Sequence, residues 1–304
     1  MPMRPAMRPG GEIGRRTGLK ILRRVNLCAG SNPAPATFEV KANDRAVHSL
    51  RRPAMKVVNT TPFPELQQTK GLLAIANGIA RVVDKLIPGD PPHGDRAISL
   101  IYGAAGPMTF WEPEDYRSSR YRVRLSFKGA AWQQFAYQLS HELGHIKLGA
   151  ARSNSLLETL AVAVSIRTLE LLVDDWPENP PFAWDGWRDY AAGLKKYVAD
   201  TRSKSLGDLP PTIRDGFTEQ PLEERLRRLA KVRVEVEKSA LSTPVMRAWQ
   251  HAAVMTLPWD KLPWNDLLGL ASHTNPSPDD DIRYRHDLPL ITSQVPTWVP
   301  KELR

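Results

Sequence analysis

Cysteine is almost missing from this chain: Cys28 is the only one in 304 residues. A single thiol builds neither a disulfide framework nor a thiolate metal site, which fits a reducing compartment and equally a disulfide-free secreted enzyme. Long apolar runs are missing as well. No eighteen consecutive residues are apolar, so no transmembrane helix is predicted and no membrane partner is expected. No internal repeat is present. The body of the chain also lacks a charge of one sign. The formal net charge is +9, but eleven Lys and Arg against three acidic residues fall within positions 1–54, a net of +8 there. The rest is close to neutral, which removes the argument for a nucleic-acid partner.

Residues 1–54 are rich in Pro, Gly and Arg and hold no sustained period, so they read as a disordered basic tail. Arg15-Arg16-Thr17-Gly18-Leu19-Lys20 faintly resembles a twin-arginine export signal, but Arg23 and Arg24 break the apolar stretch such a signal needs. A cytoplasmic location is therefore expected. Met55, followed by Lys56-Val57-Val58, stands as an alternative start of translation, which would leave the tail outside the native protein.

What is there is an ordinary globular composition, 41% hydrophobic and 25% charged. Leu66, Leu72, Leu73, Ile75, Ile79, Val82, Val83 and Leu86 recur at helical spacing and predict a helix over 64–87, ended by Pro88-Gly89. Residues 97–102 read as a strand closed by a Gly/Pro turn. Residues 121–127 alternate apolar with polar and read as a half-exposed strand. A helix is expected from about 130 to 148, stopped by Gly149, and a second from Ser153 or Ser155 through the apolar run 156–173. Further helices are expected at about 185–200, 220–238 and 243–256. Strands first and helices afterwards predict the α+β class. Residues 55–256 form one expected domain, with 257–304 an irregular C-terminal extension packed on it.

The chemistry is carried by His141-Glu142-Leu143-Gly144-His145. Residues four apart share a helix face, so His141 and His145 are spaced to grip one ion through imidazole nitrogens. Glu142 stands about 100 degrees further round, placed to reach a water on the ion's open side rather than the ion itself. Gly144 leaves room for another backbone to come close. The pattern alone arises by chance in about one per cent of chains this size, so context has to support it. Phe135, Ala136, Leu139, Leu143 and Ile146 form an apolar stripe beside it, a strand precedes it, and a carboxylate follows on the next helix. That carboxylate is Glu158, 13 residues after His145, and an Ala150–Asn154 loop would fold its helix back to face the two histidines. A capping-box role, or pairing with Arg152 or Arg167, are the other readings of Glu158.

A strand, a helix bearing His-Glu-x-x-His, and Glu158 on the following helix together resemble the gluzincin branch of the zincin metallopeptidases. Leu157-Glu158-Thr159-Leu160-Ala161 is similar to the stretch that carries the third ligand in many of them. Trp132, Phe135, Ala136, Tyr137 and Gln138, ahead of the motif, resemble a group of bacterial zinc peptidases. Metzincins instead place a third histidine six residues past the second, and position 151 here is Ala, which excludes that branch. The resemblance covers roughly 120–170. It implies a zincin-like α+β domain with a small mixed sheet, an active-site helix and a mostly helical C-terminal half. It further implies one Zn2+ held by His141, His145 and Glu158, Glu142 as general base, and a peptide or protein as substrate. Residues 121–127 would be the sheet edge along which that substrate extends. An oxyanion donor is implied too, with Tyr190, Tyr197, Tyr284 and His286 as candidates. Two departures stand out: Glu158 follows the motif sooner than in thermolysin, and Val162 occupies the place of the Asp behind the glutamate ligand. A regulatory or non-catalytic metal-binding protein acting on one partner is the alternative function. Oligomeric state is not readable.

His251 and His273 read as a helix-face and a loop histidine. Asp279-Asp280-Asp281 reads as a solvated turn, lacking the glycine and spaced carboxylates of a calcium loop. The basic run Arg225 to Arg233, interleaved with glutamates, reads as a salt-bridged helix surface.

Overall fold

A computed structural model describes residues 55–60, 69–104, 106–110, 120–127, 131–149, 153–181, 187–237, 244–258, 261–274 and 298–300. The expectations placed on the 1–54 tail, Arg152, Asp279 to Asp281, Tyr284 and His286 lie outside the described residues.

The described residues are α+β, with a small mixed sheet and mostly helical content. Strands β1 (Lys56–Thr60), β2 (Ala97–Tyr102), β3 (Met108–Thr109) and β4 (Arg120–Leu125) form one four-stranded sheet in the order β1-β2-β4-β3. The first three in that order run parallel, and β3 runs antiparallel to β4. Ile98 and Leu100 on β2 and Tyr121, Val123 and Leu125 on β4 are buried while their neighbours are not, the period-2 pattern of a sheet packed on one face. The sequence places 121–127 at the sheet edge, and this is corrected: β3 lies outside β4, and the Phe110 N–H extends the pairing by donating to the Arg122 carbonyl at 3.0 Å. A two-residue strand is too short to show alternation, which is why β3 is invisible in the sequence.

Helix α1 (Thr69–Leu86) buries Leu72, Ile75, Ala76, Ile79, Ala80 and Val83. After the sheet come α2 (Trp132–Leu148) and α3 (Ser155–Asp175), which pack directly on one another. Gly149 ends α2 in the left-handed conformation at φ 79°, with its N–H returning to the His145 carbonyl at 2.9 Å. Asn154 caps α3, its side chain accepting from the Leu157 N–H, where Ser153 or Ser155 was expected. Helices α4 (Trp187–Gly207), α5 (Pro211–Arg214), α6 (Leu222–Glu237) and α7 (Pro244–Val254) follow, then 3₁₀ turns at Trp264–Leu267 and Leu270–His273. Both α3 and α4 pack against α7. On α6, Arg227 and Arg228 pair with Glu224, as expected of a salt-bridged surface. Among the described residues, no helix is long and apolar enough to cross a membrane.

Candidate metal centre

The α2–α3 pair sets the geometry of the centre. Gly144 is where the helices touch: a Cβ there would lie 3.4 Å from the Ala161 Cα and 3.3 Å from the Val164 Cβ. Glycine in mid-helix costs about 1 kcal/mol relative to alanine, and here it allows the close approach. Across that contact Glu158, in the first turn of α3, meets the two histidines of α2. His141 Nε2 lies 3.3 Å from Glu158 Oε2 and His145 Nε2 lies 3.4 Å from Glu158 Oε1. The two Nε2 atoms are 3.1 Å apart. Each imidazole nitrogen faces a different carboxylate oxygen, and one donor atom from each residue lies within 4.8 Å of the others, close enough for the three to hold one small cation. Among the described residues they form the only such group of three that could hold a metal ion. Two imidazoles and a carboxylate suit zinc or another transition metal far better than calcium or magnesium.

Electrostatics agree. Burial alone would raise the pKa of Glu158, but the charges and hydrogen bonds of His145 and His141 hold it well below the usual carboxylate range. Burial would lower the pKa of His145; Glu158, and after it Glu142, push it upward instead. The carboxylates therefore draw positive charge into the triangle, as a proton or as a cation.

Glu142 is buried, at 3% exposure, and is not one of the three converging donors. It is held from the sheet: Thr109 on β3 donates its hydroxyl to Glu142 Oε2 at 2.8 Å. Sequence reasoning missed Thr109, because nothing local marks a two-residue strand 33 positions upstream. His251, read from the sequence as a helix-face histidine, does lie on a helix, but its contact with Tyr137 was not anticipated. His251 is buried on α7, with Nε2 3.0 Å from the Tyr137 hydroxyl and the two rings stacked at 10°. Tyr137 stands one turn before His141 on α2. Burial, then the charges of Tyr197 and Glu158, push its pKa above the ordinary tyrosine value. Burial pushes His251 down to about 4, helped by His141, Arg202 and Arg247, so it is neutral at pH 7. Of the tyrosines named from the sequence, Tyr190 donates to the Trp132 carbonyl, and Tyr197 is hydrogen-bonded with Thr201, its ring 5.9 Å from that of Tyr137.

The support behind the ligands is thin. His141 Nδ1 is buried without a hydrogen-bond partner, and Val162 is buried and apolar, so it offers no carboxylate. No protein-family model, curated protein or solved structure matches this chain.

Proposed function

We propose that this chain is a zinc-dependent peptidase of the zincin type, with one Zn2+ on His141, His145 and Glu158 and a peptide or protein as substrate. The observation that carries the reading is the convergence of His141, His145 and Glu158, one donor atom of each within 4.8 Å of the others, with a separate buried carboxylate, Glu142, on the same helix. The α+β class with its small mixed sheet is compatible with this reading but does not carry it. Zinc bound there would supply a Lewis acid for the scissile carbonyl and acidify a water. Glu142 takes the proton of the attacking water and returns it to the leaving amine. Tyr137, one turn before His141 with its hydroxyl 3.0 Å from His251 Nε2, is the candidate donor for the oxyanion.

The unpartnered His141 Nδ1 and the apolar Val162 favour a second reading, a metal-binding regulator without efficient turnover. Metal analysis of freshly purified protein, combined with Glu142→Gln, separates the two. On the peptidase reading both proteins carry zinc and unfolded casein is cut by the wild type, while the variant loses about 10²–10⁴-fold in kcat. Zinc in both proteins with no cleavage by either supports the regulator. A chain that takes up no zinc retires both.

A further inference from the structure

We infer that Arg247 is a specificity-determining residue: its guanidinium receives a carboxylate of the substrate, so the peptides cut are those carrying a carboxylate close to the scissile bond. This rests on the peptidase reading.

Helix α7 joins this residue to the metal centre. Arg247 and His251 stand four apart on α7 and therefore share a face, with about 5–6 Å between their Cβ atoms. That face is fixed at His251, whose Nε2 lies 3.0 Å from the Tyr137 hydroxyl. Tyr137 in turn stands one turn before His141 on α2. The two positions on the face differ in exposure. His251 is buried, at 4% exposure, whereas Arg247, one turn nearer the start of α7, is exposed. Arg247 is thus open to a solute, while its neighbour one turn on is locked against the helix that carries the metal donors.

The charge balance leaves Arg247 unanswered. Arg202 of α4, the other arginine acting on His251, pairs with Glu170 at 3.1 Å, and Glu170 also takes Arg167 at 3.3 Å. Glu158 is engaged by the two histidines. Among the described residues, no carboxylate pairs with Arg247. Its charge still reaches the flank of the centre. Burial, then His141, Arg202 and Arg247, disfavours a proton on His251; at Tyr137, Arg247 opposes the upward push of burial, Tyr197 and Glu158. A guanidinium is a planar fork of N–H donors that matches a carboxylate in two parallel charge-assisted bonds. The side chains and main chain of a peptide supply that group in two ways, as an acidic residue or as a free C-terminus.

Competition between peptide pools tests this on the full zinc-loaded chain, because competing substrates are consumed in the ratio of their kcat/KM values. Random-sequence pools of one length are made with Asp and Glu or with Asn and Gln in their place. Each is made with a free and with an amidated C-terminus, and products are read by mass spectrometry. Wild type should consume a carboxylate-bearing pool about 10–100-fold faster than its neutral counterpart, the range expected of a hydrogen bond to a charged group. A preference that follows the side chains assigns Arg247 to an acidic residue; one that follows amidation assigns it to the C-terminus. Arg247→Gln should keep its zinc and bring the ratio close to one. Arg247→Lys should give an intermediate ratio, and Arg247→Glu should push it below one, which loss of structure alone would not do. A wild type indifferent to both kinds of carboxylate, or a preference unaltered in Arg247→Gln, would overturn the inference. Failure of the peptidase reading appears separately, as a zinc-loaded wild type that consumes none of the pools; it takes the Arg247 role with it.

Discussion

His145 and Lys147 stand two residues apart on α2, and each ends in a cluster of buried polar atoms. The Lys147 side chain is fully enclosed, with Nζ 2.6 Å from Asp84 Oδ1 and 2.6 Å from the Gly89 carbonyl. Asp84 in turn accepts the Met55 N–H at 3.0 Å, so one ion pair fastens the end of α1, the start of β1 and the active helix together. At the His145 end Glu158 faces His145 at 3.4 Å and His141 at 3.3 Å, and His141 Nδ1 is buried without a hydrogen-bond partner. One cluster pairs a fixed ammonium with a carboxylate, whereas the other sets a carboxylate against two imidazoles that a proton or a cation could bridge. On the proposed reading the first cluster serves the fold and the second serves a ligand.

The contrast is tested most strongly by deletion on each side. Asp84→Ala strands a fully buried ammonium and should cost about 3–5 kcal/mol of stability in denaturant unfolding. Glu158→Ala should leave the metal-free protein within about 1 kcal/mol while abolishing zinc uptake, as expected of a residue retained for function. Equal losses on the two sides would erase the distinction. The next effect is on pH dependence. His251 titrates at about 4 in the folded protein against 6.5 unfolded, so the unfolded chain takes up the proton first. Its contribution to stability is thus lost as pH falls from about 6.5 to about 4 and then levels off, a change of roughly 3 kcal/mol. The raised pKa of His145 works in the opposite sense, adding stability at low pH that fades as pH rises. Comparing unfolding curves of the metal-free wild type and His251→Gln isolates the first effect: the variant should show the shallower acid slope. The smallest effect belongs to Gly144→Ala. Helix propensity favours the methyl by about 1 kcal/mol, and contacts at 3.3–3.4 Å oppose it. Stability should move by no more than about 1 kcal/mol, while zinc affinity, read by competition with a chelator, should weaken about tenfold as the helices part.

Local pattern made the active helix, Gly149 as its stop, and the three donors legible, because each depends on spacing within one helix or across one short turn. Gly144 was readable for the same reason: a glycine between two ligand positions has few other uses. Thr109 and His251 were not. Each reaches the centre from an element whose place is set by sheet order or helix packing, and threonine and histidine look ordinary in their own neighbourhoods. Assigning β4 to the edge had a related cause, since strand character says nothing of which strand lies outermost.

The close α2–α3 pairing has a consequence for how the centre comes into being. All three donors fall between positions 141 and 158, on two helices joined by a short turn. Contacts that near in sequence form early and cheaply during folding, whereas those from Thr109 and Tyr137–His251 span 33 and 114 positions. A nascent chain would accordingly present its ion-binding hairpin before α7 has been added. On the proposed reading, capture of an ion and competence for chemistry would be separate events, the first local and fast, the second waiting on the completed fold.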